Sequence, residues 1–249
     1  MNNHNSHNSM SIFDRDPTDW TDLQNLVGQL FVELGCEVVV GEPIKLVRGS
    51  KEIDVWVRDP HTSPQSEYLC ECKHWNKPIP QEAVHSFRTV VSDYGAHRGF
   101  IISRTGFQSG AYEAVRNTNV NLVTFSELQA IFFDRWRVAM GKRFMPYADR
   151  LSPYWDFPGK MPKIKWHKED IEKQRELIEA YLPLIHLGPL HEMQKFVWQL
   201  PMTLPALDGK GNVNGKITLS SYRQVYGFID AKKDLAFKQF QVLYGGINA

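Results

Sequence analysis

Residues 49–57 read GSKEIDVWV and residues 68–75 read YLCECKHW. In the first stretch Ile53, Val55 and Val57 alternate with Asp54, Trp56 and Arg58, the period of a half-buried strand. The intervening residues 59–66 carry Pro60 and Pro64 among polar side chains, which marks a loop, and Asn76-Lys77-Pro78 stops the second stretch. Two strands joined this way form an antiparallel hairpin with a loose tip. Strand alternation puts Glu71 and Lys73 on one face and Cys72 on the other. With Ile53, Val55 and Val57 turned to the core, Asp54 lies on the polar side of the neighbouring strand. Two carboxylates and one ammonium then converge across a strand pair.

Outward from this hairpin the chain alternates helix and strand. Apolar residues at 20, 23, 26, 27, 30, 31 and 34 predict a helix capped by Thr18 or Asp19 and ended at Gly35. A short β-branched strand over 37–40 is expected to break at Gly41-Glu42-Pro43. Helical spacing recurs over 81–94, a strand over 99–103, a short helix over 109–116, a strand over 120–125 and a helix from Ser126 to about Trp136. This order predicts an α/β layer: a central mixed sheet flanked by helices. Composition shifts near residue 140. Residues 141–167 hold four prolines among Tyr, Trp, Lys and Arg and are expected to form an ordered, basic, aromatic connector. Residues 168–249 are expected to form a smaller α+β region, with helices over 168–181 and 191–200 and a strand pair within 216–229.

The 249 residues carry 29 Lys plus Arg against 28 Asp plus Glu, a net charge of +1. That argues against bulk electrostatic coating of nucleic acid but leaves room for a local basic groove. Three cysteines, Cys36, Cys70 and Cys72, are too few for a disulfide framework and suit a reducing compartment. No apolar run reaches the length of a membrane span. The opening MNNHNSHNSM has no hydrophobic stretch, so residues 1–17 are expected to be a disordered tail rather than a secretory signal. These features together predict a cytoplasmic protein with no membrane association.

Asp54 and Glu71 are hard oxygen donors of the kind that hold Mg²⁺, with the main-chain carbonyl of Cys72 as a third ligand. A metal there lowers the pKa of a bound water and neutralises charge building on a phosphate. Lys73 beside it can orient the attacking water. The same residues could instead form an exposed cross-strand ion pair contributing about 0.2–1 kcal/mol.

The stretch from Trp20 to about Phe132 resembles the Mrr-type branch of the PD-(D/E)XK nuclease superfamily, with its restriction-endonuclease-like fold. LQNLVGQLFVELGCEVVV (23–40) is similar to the family's opening helix and strand, GSKEIDVWV (49–57) to the turn leading into its first catalytic Asp, and LCECKHW (69–75) to its second catalytic strand. Residues 84–129 follow the helix-strand-helix-strand tail. The resemblance implies a domain over 18–140 in which Asp54, Glu71 and Lys73 are catalytic, with Mg²⁺ (Mn²⁺ able to substitute) as cofactor. It also implies nucleic acid, DNA before RNA, as substrate, and a bacterial restriction or anti-phage setting. Two residues depart from the common pattern. Glu71 stands where many Mrr-type members carry Gln, which strengthens the metal site. Gln24 stands where the family often has a Glu on its first helix, and it adds no charge for a second metal.

Further candidates are weaker. Cys70, Cys72 and His74 alternate on one strand and span too far to chelate one ion, so small buried cysteines are expected. His74, Lys77, Arg104 and Thr105 lie beyond the strand ends, where substrate phosphates would sit. Cutting both strands of a duplex needs two sites, so a homodimer or larger assembly is expected. Residues 168–249 offer a surface for a protein partner. Rival readings are a non-catalytic nucleic-acid-binding or scaffold subunit of a defence complex, and an RNase on the same fold.

Overall fold

A computed structural model describes residues 11–47, 49–154, 168–191 and 198–244, with side chains given for all of these except 168–170 and 188–191. The chain divides into two compact units between Trp136 and Arg137. The first runs α1 (Trp20–Glu33), β1 (Glu37–Leu46), β2 (Gly49–Asp59), β3 (Ser66–Lys73), α2 (Gln81–Tyr94), β4 (Arg98–Ser103), α3 (Ser109–Ala114), β5 (Val120–Thr124) and the start of α4 (Phe125–Leu151). The sheet order is β1-β2-β3-β4-β5. β1, β2 and β3 pair antiparallel, whereas β3–β4 and β4–β5 are parallel. This is the expected mixed sheet flanked by helices, the restriction-endonuclease-like α/β fold.

Each face of the sheet has its own cover. Phe31 of α1 meets Tyr68 at 6.1 Å and Phe132 of α4 at 5.0 Å between ring centroids, and Phe132 meets Phe100 at 6.0 Å. Ile53, Leu69 and Ile101 instead join a buried cluster with Val84, Phe87 and Val91 of α2 and Ala111 and Ala114 of α3. Close packing fixes Gly99 here: a Cβ on it would stand 2.6 Å from Val91 and 2.9 Å from Phe87. At the first helix the apolar stripe is buried from Leu23 to Leu34, while Trp20 at its start stays exposed. Asp19 is its cap, accepting from the Asp22 amide at 2.8 Å. Thr124 and Glu127 cap α4 reciprocally: the Thr124 amide donates to Glu127 Oε2 at 2.7 Å and the Glu127 amide to Thr124 Oγ1 at 3.2 Å.

Four expectations are corrected. β1 does not stop at Gly41-Glu42-Pro43 but continues to Leu46. It is an edge strand paired only with β2, and an edge tolerates the absence of the N–H donor that proline lacks. Residues 11–17 are not a disordered tail: Ile12 and Phe13 are buried, and both amides donate to Gln129 Oε1, at 3.0 and 2.8 Å. Residues 141–151 are not connector but the second half of α4, because Met140, Phe144, Ala148 and Leu151 form a buried stripe at helical spacing that outweighs Pro146. Residues 222–229 are not strand but the start of α7 (Tyr222–Leu243), where Tyr222, Val225, Tyr226 and Ile229 fall on one buried helix face and Ser221 caps the end. Residues 1–10 of the expected tail, 155–167 of the expected connector and 192–197 of the expected helix over 191–200 lie outside the described residues.

In the second unit α5 (Lys168–Ala180), α6 (Leu182–His191) and α7 accompany a two-stranded antiparallel sheet, β6 (Met202–Leu207) and β7 (Val213–Leu219). Tyr154, Phe240 and Tyr244 cluster in its core, with Tyr154 5.7 Å from Phe240 and 5.1 Å from Tyr244 between centroids. The Tyr244 hydroxyl donates to the Tyr154 carbonyl at 2.7 Å and accepts from Gln174 Nε2 at 2.6 Å, so the buried polar groups are paired. Among the described residues no helix is long and apolar enough to cross a membrane.

An ion pair built on a buried carboxylate secures α4 to the sheet. Asp59, at the end of β2, is fully buried and accepts from Arg135 Nη1 and Nη2, at 2.5 and 2.7 Å, and from the Tyr68 hydroxyl at 2.9 Å. Burial would push the Asp59 carboxyl up, but Arg135, the His61 amide and Tyr68 outweigh it and hold it down to about 2. A carboxyl held below its unfolded value of about 3.9 adds stability that is fully present above that value and is lost as pH falls through the folded one. The contribution is about 2 kcal/mol. Urea denaturation of wild type and Asp59→Asn is therefore expected to give curves whose gap narrows as pH drops from 5 to 2. A gap of constant size would show that the carboxylate charge contributes nothing.

Candidate active site

The site forms where β2 and β3 part. Their ladder runs from Asp59↔Ser66 to Val55↔Cys70 and goes no further. One step past that end the same register sets Asp54 opposite Glu71. The Cys72 amide has no β2 carbonyl there, and Asp54 Oδ2 accepts from it at 2.6 Å. On its other side Asp54 faces Gly41, which lies between the pairs Val40↔Val55 and Glu42↔Ile53 with φ +71°. A left-handed residue bends the edge strand at this point.

Gln24, from the buried stripe of α1, lies beside Asp54 and is the least of the influences that lower its carboxyl. Burial pushes the Asp54 carboxyl up and the Cys72 amide draws it back. The charge of Glu71 pushes it up again and Lys73 lowers it, leaving it above the ordinary carboxylate value. Glu71 is only 9% exposed and accepts from two ammonium groups, Lys73 Nζ at 2.5 Å on Oε1 and Lys51 Nζ at 3.0 Å on Oε2. The structure thus brings Asp54, Glu71, Lys73 and Gln24 together and adds Lys51. In an extended strand a residue's N–H and C=O project to the same side, so the Cys72 carbonyl shares the edge on which its amide meets Asp54.

Among the described residues no three His, Cys, Asp or Glu side chains gather to hold an ion by themselves. The available donor set is two carboxylates and a main-chain carbonyl. These are hard oxygens that suit a cation keeping several waters, such as Mg²⁺ or Mn²⁺, and not the closed nitrogen-sulfur set of a structural zinc. Burial, and to a lesser degree the charge of Glu71, raises Asp54, and a cation beside the carboxylate would offset both. The cysteines stay out of it: Cys36, Cys70 and Cys72 are free and buried, and burial pushes each thiol up, Cys36 to about 11.

The loops after the parallel strands β3 and β4 adjoin this site. The Arg104 amide donates to the Lys73 carbonyl at 3.1 Å and Arg104 Nη1 to Asn76 Oδ1 at 2.7 Å. His74 Nε2 donates to the Pro17 carbonyl at 3.1 Å. The Thr105 amide donates to Ser103 Oγ at 3.2 Å. His74 and Arg104, expected to meet phosphates, therefore have protein partners, while the Lys77 and Thr105 side chains are exposed at the rim. Two neighbours were not anticipated from the sequence. Lys51 gives only a positive charge three positions before Asp54 as its signal. Trp75 is 38% exposed, with Lys73 Nζ 5.5 Å from its ring centroid.

The fold and this carboxylate-lysine arrangement define a restriction-endonuclease-like domain. Residues 15–132 match the model of the restriction endonuclease family Mrr_cat. Over these residues the chain is thus similar to a restriction endonuclease family, and the match supports a nuclease. Two solved structures are also similar. One, a protein of unknown function designated AF1548, is 16% identical with a TM-score of 0.38, over 71% of this chain and 93% of its own. The other, the DNA modification-dependent restriction endonuclease AspBHI, is 17% identical with a TM-score of 0.33, over 44% of this chain and 30% of its own. No curated protein matches the chain.

Proposed function

We propose that the chain is a metal-dependent endonuclease that hydrolyses phosphodiester bonds in DNA, in bacterial restriction or anti-phage defence. The observation that carries this reading is the meeting of Asp54 and Glu71 at the parted ends of β2 and β3, with Asp54 fastened to the Cys72 amide. When bound to Asp54, Glu71 and the Cys72 carbonyl, Mg²⁺ or Mn²⁺ would lower the pKa of water and neutralise charge on the phosphate. The Cys72 amide fixes the Asp54 carboxylate, so its orientation costs nothing at the moment of reaction, and Gln24 stands beside it. Lys73 orients the attacking water and donates to the phosphate oxygens as they gain charge. Lys77 and Thr105 hold the flanking phosphates, together with His74 and Arg104 if these release their present partners. Duplex cleavage needs two such sites, so two copies act together. Residues 168–249 dock a protein partner, and the chain works in the cytoplasm.

Purified protein incubated with plasmid, single-stranded DNA and RNA, each with Mg²⁺, Mn²⁺ or EDTA, tests this directly. Cleavage of plasmid with either metal and none in EDTA is expected. Cutting of RNA alone would reassign the substrate, and equal cutting in EDTA would remove the metal from the reaction.

A further inference from the structure

Glu71 carries more positive charge than its proposed role requires. Each of its oxygens is taken by a different lysine, Oε1 by Lys73 of the same strand and Oε2 by Lys51 of β2. The two are held differently. Lys73 follows Glu71 by two residues on β3, and its side chain is 21% exposed. Lys51 reaches over from the neighbouring strand beyond the last β2–β3 pair, and its side chain is 33% exposed. Its ammonium lies 5.8 Å from the centroid of Phe87, a buried residue of α2. The ammonium thus sits between the Glu71 carboxylate and the ring of Phe87, at the end of a flexible four-carbon stem that lets it move from one to the other.

We propose that Lys51 is a second lysine of this site, a positioning residue that balances Glu71 and yields Oε2 when a divalent ion binds. The inference rests on the metal-dependent reading above. An ammonium on a carboxylate oxygen and a divalent cation on the same oxygen repel each other, so the ion must displace Lys51 to bind. Lys51 thereby weakens metal binding and, once displaced, leaves a positive charge beside the position of the phosphate. Glu71 is meanwhile never left as a buried, uncompensated charge, which would be costly.

Direct Mn²⁺ titration of the full chain, followed by the electron paramagnetic resonance of the free ion, tests this without any turnover. Lys51→Met, which keeps the length of the side chain and removes its charge, is expected to bind Mn²⁺ about five- to tenfold more tightly than wild type. The gain should vanish in a Glu71→Gln background, and Lys51→Arg should keep the weaker wild-type affinity. Lys51→Gln gives the same reading should the methionine variant not fold. Unchanged or weaker binding in a folded Lys51 variant, with wild type still binding through Asp54 and Glu71, would overturn the role of Lys51 alone. Wild type that binds no Mn²⁺ would overturn the metal-dependent reading and this inference with it.

Discussion

Asp54→Asn is expected to cut DNA cleavage by about a thousandfold while leaving the fold intact. The two halves of that expectation have separate causes. An asparagine side-chain oxygen can still accept from the Cys72 amide at the parted end of β2 and β3, so the local backbone keeps its partner. The fold also loses a cost. A carboxyl whose pKa is raised in the folded state opposes stability once pH exceeds its unfolded value, because its charged form is the poorly solvated one. The neutral amide carries no such charge, so the melting temperature should hold or rise at neutral pH. What asparagine cannot supply is the negative charge needed beside Glu71 to hold a divalent ion. Plasmid cleavage and thermal melting on one preparation check both halves. A stable variant that still cuts at the wild-type rate would remove Asp54 from the chemistry.

Asp59→Ala has the largest expected effect on stability, about 2–3 kcal/mol. Its carboxylate is fully buried and accepts from both terminal nitrogens of Arg135 and from Tyr68. Truncation removes the acceptor of the buried Tyr68 hydroxyl and of a guanidinium that is only a third exposed, and both lose a charge-assisted partner. Chemical denaturation is the measurement. The double variant Asp59→Leu/Arg135→Met should recover much of the loss, since removing both charges leaves none stranded. A single-variant loss below about 1 kcal/mol would mean that water reaches Arg135 and the pair behaves as a surface one.

How far the sequence is legible follows from which forces act locally. Alternation over residues 53–57 and the triplet Glu71-Cys72-Lys73 reveal the hairpin and three members of the site, because strand period and sidedness belong to the residues themselves. Gln24 could be placed beside Asp54 only through the family resemblance, yet it lies there, on the buried stripe of α1. Lys51 was hidden by the same alternation that revealed Asp54. Period two groups Lys51 with Ile53 and Val55, away from Asp54, and only the parting of β2 and β3 with the bend at Gly41 lets its stem reach Glu71. That is a tertiary property with no short-range signal.

The same holds elsewhere. Pro43 and Pro146 read as breakers, but an edge strand tolerates the first, and the buried stripe from Met140 to Leu151 overrides the second. Ile12 and Phe13 look stranded in a polar lead-in until Gln129, more than a hundred residues away, takes both their amides. Long-range partners of this kind cannot be read from local composition.

The two lysines on Glu71 carry one last consequence. With both of its acids already satisfied, one by a backbone amide and the other by ammonium groups, the pocket needs no bound ion to stand. Chelation should therefore strip the protein reversibly, its circular dichroism unaltered and its function restored on adding metal back, so that silence in a chelating buffer reports on bond-breaking and not on collapse.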